Sequence, residues 1–395
     1  TAQPTAQMDS IRRYELLRRH FPELDMLYHE NPEIWEQLIA ASPDELREMI
    51  DTDTVPGDVP PHIILELADD PMIRDILDGQ AQDNGEATLV DAGVVPAWEQ
   101  SLGSGAVIAL IDTAVDTGHE DLSDNIWVNA SEIPGNGLDD DGNGYADDIN
   151  GWNFCSNTNS VSVGQAVYGQ VSVGESVYGE WHGTHAAGII AAKKDNGRGV
   201  AGVSPEAEIM VLKAFENGTA YTSDIIEAIE YAENMGAKIV NCSWGGTNEN
   251  PALEEAVEQS DMLFVCAAGN SGSNNDTNPV YPASIDFDNV ISVGSINRYG
   301  GLSGFSNYGE VSVDVTAPGE EIMSCLPGSA YEAKSGTSMA AAFVSGEAAL
   351  LVGMYENMSA AELRERIIIT SDRLSSLTGK IYRSNKINCG NALNN

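Results

Sequence analysis

Short apolar runs alternate with amphipathic stretches along the chain from about residue 97 onward. The apolar runs have the length and composition of buried strands, and the stretches between them place apolar residues at helical spacing. The predicted strands are residues 107–111, 208–212, 238–242, 262–267 and 290–293, and the predicted helices are residues 223–235 and 251–259. Strands separated by helices in this way are typical of an α/β fold with parallel strands and crossover helices.

Residues 1–84 have a different pattern from the rest of the chain. Apolar residues at helical spacing in 11–19, 32–39 and 42–50 predict a small helical module. The polar residues at 78–85 are typical of a linker. We therefore predict a helical N-terminal module over 1–84, which is either a propeptide that keeps a zymogen inactive or a retained regulatory domain. A larger domain over 85–395 follows it.

A tandem repeat of valine, polar residues and glycine occupies residues 161–180 and ends just before His182. Valine in alternation with polar residues, interrupted by glycine, favours an extended hairpin or loop. We interpret the repeat as an insertion in the larger domain. It is either a surface loop or part of a gate at the rim of a cleft.

The composition indicates a globular protein with an acidic surface. The chain has 395 residues, of which 42% are hydrophobic, so it can bury a large core. Its formal net charge is -42, from 61 acidic and 19 basic residues, which argues against nucleic acid and anionic membranes as partners. The five cysteines have no metal-ligand spacing. Glu347 interrupts the longest apolar helix, so we predict no membrane span.

Three polar residues lie where an apolar segment begins or ends. Asp112 ends a predicted strand, His182 precedes a segment of small residues, and Ser338 starts an alanine-rich helix. A hydroxyl nucleophile needs a base to accept its proton and a carboxylate to hold that base in the right tautomer. We therefore predict that Ser338 is a nucleophile, that His182 is its general base, and that Asp112 orients His182.

Four segments together resemble the subtilisin-like serine protease family, the subtilases (peptidase family S8). They are Asp112-Thr113-Ala114, His182-Gly183-Thr184-His185, Ala267-Ala268-Gly269-Asn270 and Gly336-Thr337-Ser338-Met339-Ala340. The resemblance implies a subtilisin-like parallel sheet with helices on both faces. It also implies a serine endopeptidase that forms an acyl-enzyme on Ser338, with the amide of Asn270 holding the oxyanion. Two positions depart from the family pattern: Ala114 stands where glycine is usual, and Ala342 where proline is usual.

The resemblance also assigns residues that bind the substrate, a peptide or protein. Ser243, Trp244 and Gly245 resemble the family strand that pairs with the substrate backbone. The pocket for the residue before the cleaved bond is lined, by the same resemblance, by Ala267, Gly269 and Val280. No acidic residue is clearly placed there, so a strict preference for basic residues is not predicted.

An acidic stretch between Asp112 and His182 predicts a Ca²⁺ site. Oxygen-bearing side chains at positions 1, 3, 5 and 9 and glycine at position 6 match the first part of a calcium loop, although position 12 is Asn150. The predicted ligands are Asp139, Asp141, Asn143, Asp147 and the carbonyl of Tyr145. A second Ca²⁺ site is implied by the resemblance alone, with Asp121 and Asn196 as its side-chain ligands.

Two other functions remain open at this point. Some relatives of the family join peptides and carry insertions in the same interval, so a peptide ligase or macrocyclase is the alternative among enzymes. A pseudoprotease that binds peptides without cutting them is the alternative among binding proteins. The chain begins with Thr1, which fits a secreted protein after removal of a signal peptide, although a trimmed or cytoplasmic protein would look the same.

Overall fold

The computed structural model describes residues 91–163 and 179–394, together with Leu38, Ala41, Glu45, Leu46 and Met49. Most of the predicted N-terminal module, the linker and most of the tandem repeat lie outside the described residues. Contacts between Cα atoms divide the chain into two compact units, Thr1–Leu89 and Val90–Asn395. In the first unit Leu38 and Leu46 are helical and fully buried.

The second unit is built on a nine-stranded sheet with a separate two-stranded hairpin. The strands are β1 (Val107–Asp112), β2 (Gly151–Asn153), β3 (Glu208–Lys213), β4 (Ile239–Cys242), β5 (Leu263–Ala267), β6 (Val290–Ile296), β7 (Val315–Pro318), β8 (Ile322–Leu326), β9 (Ala330–Lys334), β10 (Asp372–Arg373) and β11 (Asn385–Lys386). The order in the large sheet is β10-β11-β7-β6-β5-β4-β1-β3-β2. Every pair is parallel except β10 with β11, and β8 pairs with β9 as an antiparallel hairpin.

Seven α-helices are found in residues 91–163 and 179–394. They are α1 (Val94–Ala97), α2 (His182–Ala191), α3 (Thr222–Asn234), α4 (Pro251–Glu258), α5 (Thr337–Met354), α6 (Ala360–Thr370) and α7 (Cys389–Leu393). Successive residues of β1 point to opposite faces of the sheet and belong to two different hydrophobic clusters. Ile108 and Leu110 pack with α2 and α5, whereas Ala109 and Ile111 pack with α3 and α4. The predicted α/β fold, a parallel sheet with helices on both faces, is therefore confirmed.

Helix α5 runs through the core beside the sheet. Among the described residues it is the one helix whose length and composition would allow it to cross a membrane. However, 83% of its residues are buried inside the fold, which explains why it is apolar all round. Glu347, the residue that interrupts its apolar run, is itself buried.

Candidate active site

The site lies where the carboxyl ends of the central parallel strands meet the amino ends of two helices. Asp112 is the last residue of β1, Ser243 follows β4, and Asn270 lies shortly after β5. His182 is the first residue of α2, and Ser338 is the second residue of α5. Ligands of open α/β sheets bind at this edge, because the loops that follow parallel strands all emerge there.

Asp112 and His182 form a buried hydrogen-bonded pair. His182 Nδ1 lies 2.8 Å from Asp112 Oδ1 and 2.9 Å from Oδ2, and each residue is only 2% exposed. The Thr113 N–H donates to Asp112 Oδ1 at 2.7 Å, which fixes the carboxylate. Because a carboxylate only accepts, the His182 proton is on Nδ1 and Nε2 is left as the basic nitrogen.

The hydroxyl of Ser338 is held by the end of β4. Ser338 Oγ donates to the Ser243 carbonyl at 3.0 Å, and Ser243 Oγ donates back to the Ser338 carbonyl at 3.0 Å. Asn241 Nδ2 donates to Ser243 Oγ at 2.9 Å, and Ser345 Oγ donates to Asn241 Oδ1 at 2.9 Å. These buried bonds tie the first turns of α5 to the sheet. The N–H of Ser338, in the first turn, has no acceptor inside the helix.

The carboxamide of Asn270 is oriented by the residue before Ser338. Asn270 Oδ1 accepts from the Thr337 N–H at 2.8 Å and from Thr337 Oγ1 at 3.0 Å. The Thr337 N–H can only donate, so the oxygen of Asn270 must face it. The Nδ2 group of Asn270, which is an exposed residue, is therefore turned away from Thr337.

The predicted substrate-binding residues lie together at the ends of β4 and β5. Cys242 and Cys266 pair in register, so Ser243 and Ala267 follow side by side, and Gly269 comes next after Ala268. The side chains of Ser243 and Trp244 are buried, and Trp244 Nε1 donates to the Ile111 carbonyl at 2.9 Å. Ser243 and Trp244 are buried as whole residues, and the exposed part of this segment begins at Gly245.

Val280 lies against the same segment from the other side. A Cβ on Gly245 would be 2.8 Å from Val280 Cγ1. Gly246 and Tyr281 exchange two backbone hydrogen bonds, at 2.9 and 2.8 Å. Val280 is thus placed to limit the space above Gly245.

The acidic loop brings together a carboxylate set that differs from the predicted one. Oxygen atoms of Glu132, Asp139 and Asp141 lie within 4.8 Å of one another. Glu132 was not predicted, because it precedes the loop pattern that starts at Asp139. It is buried, and its Oε1 also accepts the Asp140 N–H at 2.7 Å. The Gly144 N–H is the main cause that lowers the pKa of Asp139.

Asp147, which the sequence predicts as a Ca²⁺ ligand, lies outside this carboxylate cluster. Its two oxygens accept the N–H groups of residues 135, 136 and 137 at 2.7–3.1 Å, so it organises a turn. Asn143 is also engaged: its Oδ1 accepts the Tyr145 N–H at 2.8 Å, and its Nδ2 donates to Asp148 Oδ2 at 2.9 Å.

Asp121 and Asn196 are adjacent. Asn196 Nδ2 donates to Asp121 Oδ1, and the Val200 N–H donates to Asp121 Oδ2 at 2.9 Å. Asn196 Oδ1 accepts the Arg198 N–H at 2.9 Å, while the Arg198 guanidinium pairs with Glu120. The carboxylate of Asp121 is buried, and it holds the loop of residues 196–200 by accepting from two uncharged donors, Asn196 Nδ2 and the Val200 N–H.

Comparison with known proteins places the chain among serine proteases. The model of the subtilase family matches residues 103–386. Thermitase of Thermoactinomyces vulgaris is 35% identical over 301 residues, which are 75% of this chain and 91% of thermitase. The major intracellular serine protease of Bacillus subtilis (strain 168) is 37% identical over 276 residues, 68% of this chain and 75% of that protein. A solved protease structure from Pseudoalteromonas arctica PAMC 21717 matches with a TM-score of 0.59 and 26% identity, over 76% of this chain and 93% of the other.

Proposed function

Because the chain belongs to the subtilase family and is a subtilisin-like serine endopeptidase, we propose that it cleaves peptide bonds through an acyl-enzyme on Ser338. The observation that carries the proposal is the buried hydrogen bond between His182 Nδ1 and Asp112. It leaves His182 Nε2 as a base at the sheet edge where Ser338 lies in the first turn of α5. Asp112 and His182 are therefore already oriented before the substrate binds.

The chemistry proceeds in two halves. Ser338 Oγ releases the Ser243 carbonyl, attacks the carbonyl carbon of the peptide bond, and gives its proton to His182 Nε2. Asp112 stabilises the imidazolium that forms. The protonated His182 then donates to the leaving amine as the C–N bond breaks. In the second half a water molecule attacks the acyl carbon and gives its proton to His182 Nε2. The ester bond to Ser338 Oγ then breaks, His182 returns the proton to Ser338 Oγ, and the carboxylic acid product leaves.

The negative charge of each tetrahedral intermediate falls on the former carbonyl oxygen. We assign its two donors to the Ser338 N–H and Asn270 Nδ2. Loss of one such donor lowers turnover by roughly 10²- to 10³-fold. The peptide itself lies extended along residues 243–246 and adds a strand through backbone hydrogen bonds, with Ala267, Gly269 and Val280 around the residue before the cut.

The assignment of the nucleophile and its orienting group is tested with two variants. Ser338→Ala removes the hydroxyl, so a serine-directed phosphonate should no longer label the protein. Asp112→Asn keeps the shape of the side chain but favours the wrong His182 tautomer, so kcat should fall by about 10⁴-fold. Labelling that persists in Ser338→Ala would place the nucleophile elsewhere, and an unchanged kcat in Asp112→Asn would remove Asp112 from the mechanism.

We further propose that Ca²⁺ stabilises two loops. Glu132, Asp139 and Asp141 offer the carboxylate oxygens that Ca²⁺ prefers, and Asn143 and the Tyr145 carbonyl lie in the same loop. At the second site Asp121 offers its carboxylate, whereas Asn196 would have to turn its carboxamide to offer Oδ1, because its Nδ2 now donates to Asp121. When bound at the first site, Ca²⁺ would neutralise the repulsion between the three carboxylates and cross-link the exposed loop that carries Asp139 and Asp141.

Chelation tests this proposal without any need for catalysis. Excess chelator should lower the melting temperature, because a ligand that binds only the folded state stabilises it by mass action. Asp139→Asn should reduce that response, and Asp121→Asn should reduce the part that comes from the second site. Asp276→Asn is the matched control, since Asp276 also caps a turn through backbone N–H groups but lies outside both clusters. A melting curve unaffected by chelator would contradict both sites.

Self-processing is the last part of the proposal. The polar linker at 78–85 lies shortly before the boundary between the two compact units, Leu89 and Val90. We propose that Ser338 cleaves the chain there. The mass of the wild-type chain should then fall on incubation, whereas Ser338→Ala stays whole. A wild-type chain that cuts peptides but keeps its mass would show that the N-terminal module is retained.

A further inference from the structure

A buried asparagine holds the loop that carries Asn270 at five points. Asn307 is 1% exposed and lies outside the four sequence segments on which the family resemblance was based. Both Nδ2 protons, the Oδ1 acceptor and the backbone N–H of Asn307 are used. Their partners are the Ala268 carbonyl (3.0 Å), Asn275 Oδ1 (3.0 Å), the N–H groups of Ser271 (2.9 Å) and Ser273 (3.0 Å), and the Gly269 carbonyl (2.9 Å). Four of these five bonds go to residues within three positions of Asn270, on both sides of it.

The side chain of Asn307 packs so closely against Gly269 that no larger residue fits at position 269. Gly269 has φ of +110°, and a Cβ at this position would lie 2.5 Å from Asn307 Nδ2. Glycine is therefore required both by the backbone conformation and by the close approach. Asn275, which is 2% exposed, supports the same arrangement, because its Nδ2 donates to the Ala268 carbonyl at 2.9 Å.

Asn307 and Thr337 fix different parts of Asn270. Thr337 binds the carboxamide oxygen and so sets the rotation of the side chain. Asn307 binds the backbone before and after Asn270 and so sets where that side chain starts. The position of Nδ2 relative to Ser338 depends on both.

We propose that Asn307 is a positioning residue for turnover, which acts by placing Asn270 Nδ2 where the oxyanion forms. The inference rests on the proposed role of Asn270 as an oxyanion donor. Oxyanion stabilisation depends on donors that are fixed in place before the charge develops. Asn307 supplies that fixation and itself touches no reacting atom.

A double-mutant cycle separates this role from a general loss of structure. Asn307→Ala should lower kcat by at least about 10-fold and leave KM nearly unchanged, since misplacement by 1 Å can cost roughly 10²-fold. In the Asn270→Ala background, the same Asn307→Ala change should have little effect on kcat, because the donor that it positions is gone. Active-site titration with a serine-directed phosphonate corrects each kcat for the fraction of folded enzyme.

Each outcome has one meaning. If Asn270→Ala alone leaves kcat unchanged, the oxyanion role in the proposed function fails, and this inference fails with it. If Asn270→Ala lowers kcat but Asn307→Ala does not, only the inference fails. Equal losses from Asn307→Ala in both backgrounds would also overturn it, since Asn307 would then act independently of Asn270.

Two further variants guard against misfolding and non-specific effects. If Asn307→Ala does not fold, Asn275→Ala removes a single member of the network and should give a smaller kcat loss that again disappears without Asn270. Asn153→Ala is the matched control: Asn153 is also buried and also organises a loop, through the Ser160 carbonyl at 3.0 Å and the Ser156 N–H at 3.2 Å. It should leave kcat unchanged, and an equal kcat loss in Asn153→Ala would contradict a specific role for Asn307.

Discussion

Glu347 is a carboxyl group in the middle of α5 that the proposed chemistry does not use. It is 1% exposed, and neither of its oxygens has a hydrogen-bond partner among the described residues. Burial raises its pKa to about 8, while Lys386 opposes the shift and Asp372 adds to it. Lys386 is itself engaged by Asp372 and by the Asp91 carbonyl. Glu347 is therefore a neutral acid at pH 7.

The neutral state of Glu347 makes stability depend on pH. Between its unfolded pKa near 4.5 and its folded pKa of about 8, the folded state holds a proton that the unfolded state has lost. The free energy of unfolding contributed by this group therefore falls as pH rises through that window, by a total on the order of a few kcal/mol.

Glu347→Gln removes the ionisation and tests this sign. The variant should gain stability over wild type progressively from pH 5 to pH 8, as measured by urea denaturation at fixed salt. The matched control is Glu362→Gln, at an exposed residue where hydrogen bonds from Ser359 lower the pKa. A difference between wild type and Glu347→Gln that does not change with pH would contradict the assignment.

The chemistry-bearing residues differ in how well they could be predicted from sequence. Asp112, His182 and Ser338 each stand next to an apolar segment with a recognisable pattern, so their positions at the sheet edge follow from the fold. In the acidic loop, which has no apolar pattern, Glu132 joins the carboxylate cluster without having been predicted, and Asp147 lies outside it. There, hydrogen bonds to backbone N–H groups decide which carboxylates meet.

At the scale of elements, the packing of α2 against the β8–β9 hairpin keeps His182 in place. Ser324 Oγ of β8 donates to the His185 carbonyl at 2.8 Å, and His185 Nε2 lies 3.1 Å from the Glu332 carbonyl of β9. Burial lowers the pKa of His185 to about 4, so it stays neutral and serves as a structural donor. The second histidine of the motif thus joins two elements.

Gly188 sets the distance between α2 and β8. A Cβ at this position would lie 2.8 Å from Cys325 Sγ and 2.9 Å from Cys325 Cβ. Gly188→Ala should therefore lower the free energy of unfolding by about 1–3 kcal/mol, the usual cost of overpacking, despite the better helix propensity of alanine. Thermal denaturation measures the change. Gly304→Ala is the control, because a Cβ there meets nothing within 4 Å, and a loss at Gly188 no larger than at Gly304 would contradict the packing argument.

The strands and helices that were predicted from sequence all have a clear pattern of apolar residues. Strands β1, β3, β4, β5 and β6 are buried on both faces and read as continuous apolar runs, and α3 and α4 are amphipathic. Strand β9 was not predicted, because no residue of Ala330–Lys334 is buried and the segment is paired only with β8 in the hairpin. Helix α6 was also missed, although Ser359 and Glu362 form a capping box that is visible in the sequence.

For the whole molecule, the net charge of -42 opposes the compact state. Salt should relieve this repulsion, since the Debye length falls from about 30 Å at 0.01 M to about 3 Å at 1 M. We expect the melting temperature to rise by several degrees over that range of salt concentration. This corresponds to a gain in the free energy of unfolding on the order of 1 kcal/mol or more. The measurement needs saturating Ca²⁺ throughout, so that loss of the ion does not contribute. A melting temperature that stays constant or falls with salt would contradict this account.

The acyl-enzyme on Ser338 is the central claim, and trapping it is the most direct test. Wild-type protein is mixed with a peptide ester, quenched in acid within the first turnovers, digested, and mapped by mass spectrometry. The account predicts an acyl group on the peptide that contains Ser338, and none in Ser338→Ala. An acyl group on another residue, or ester turnover that survives in Ser338→Ala, would contradict it.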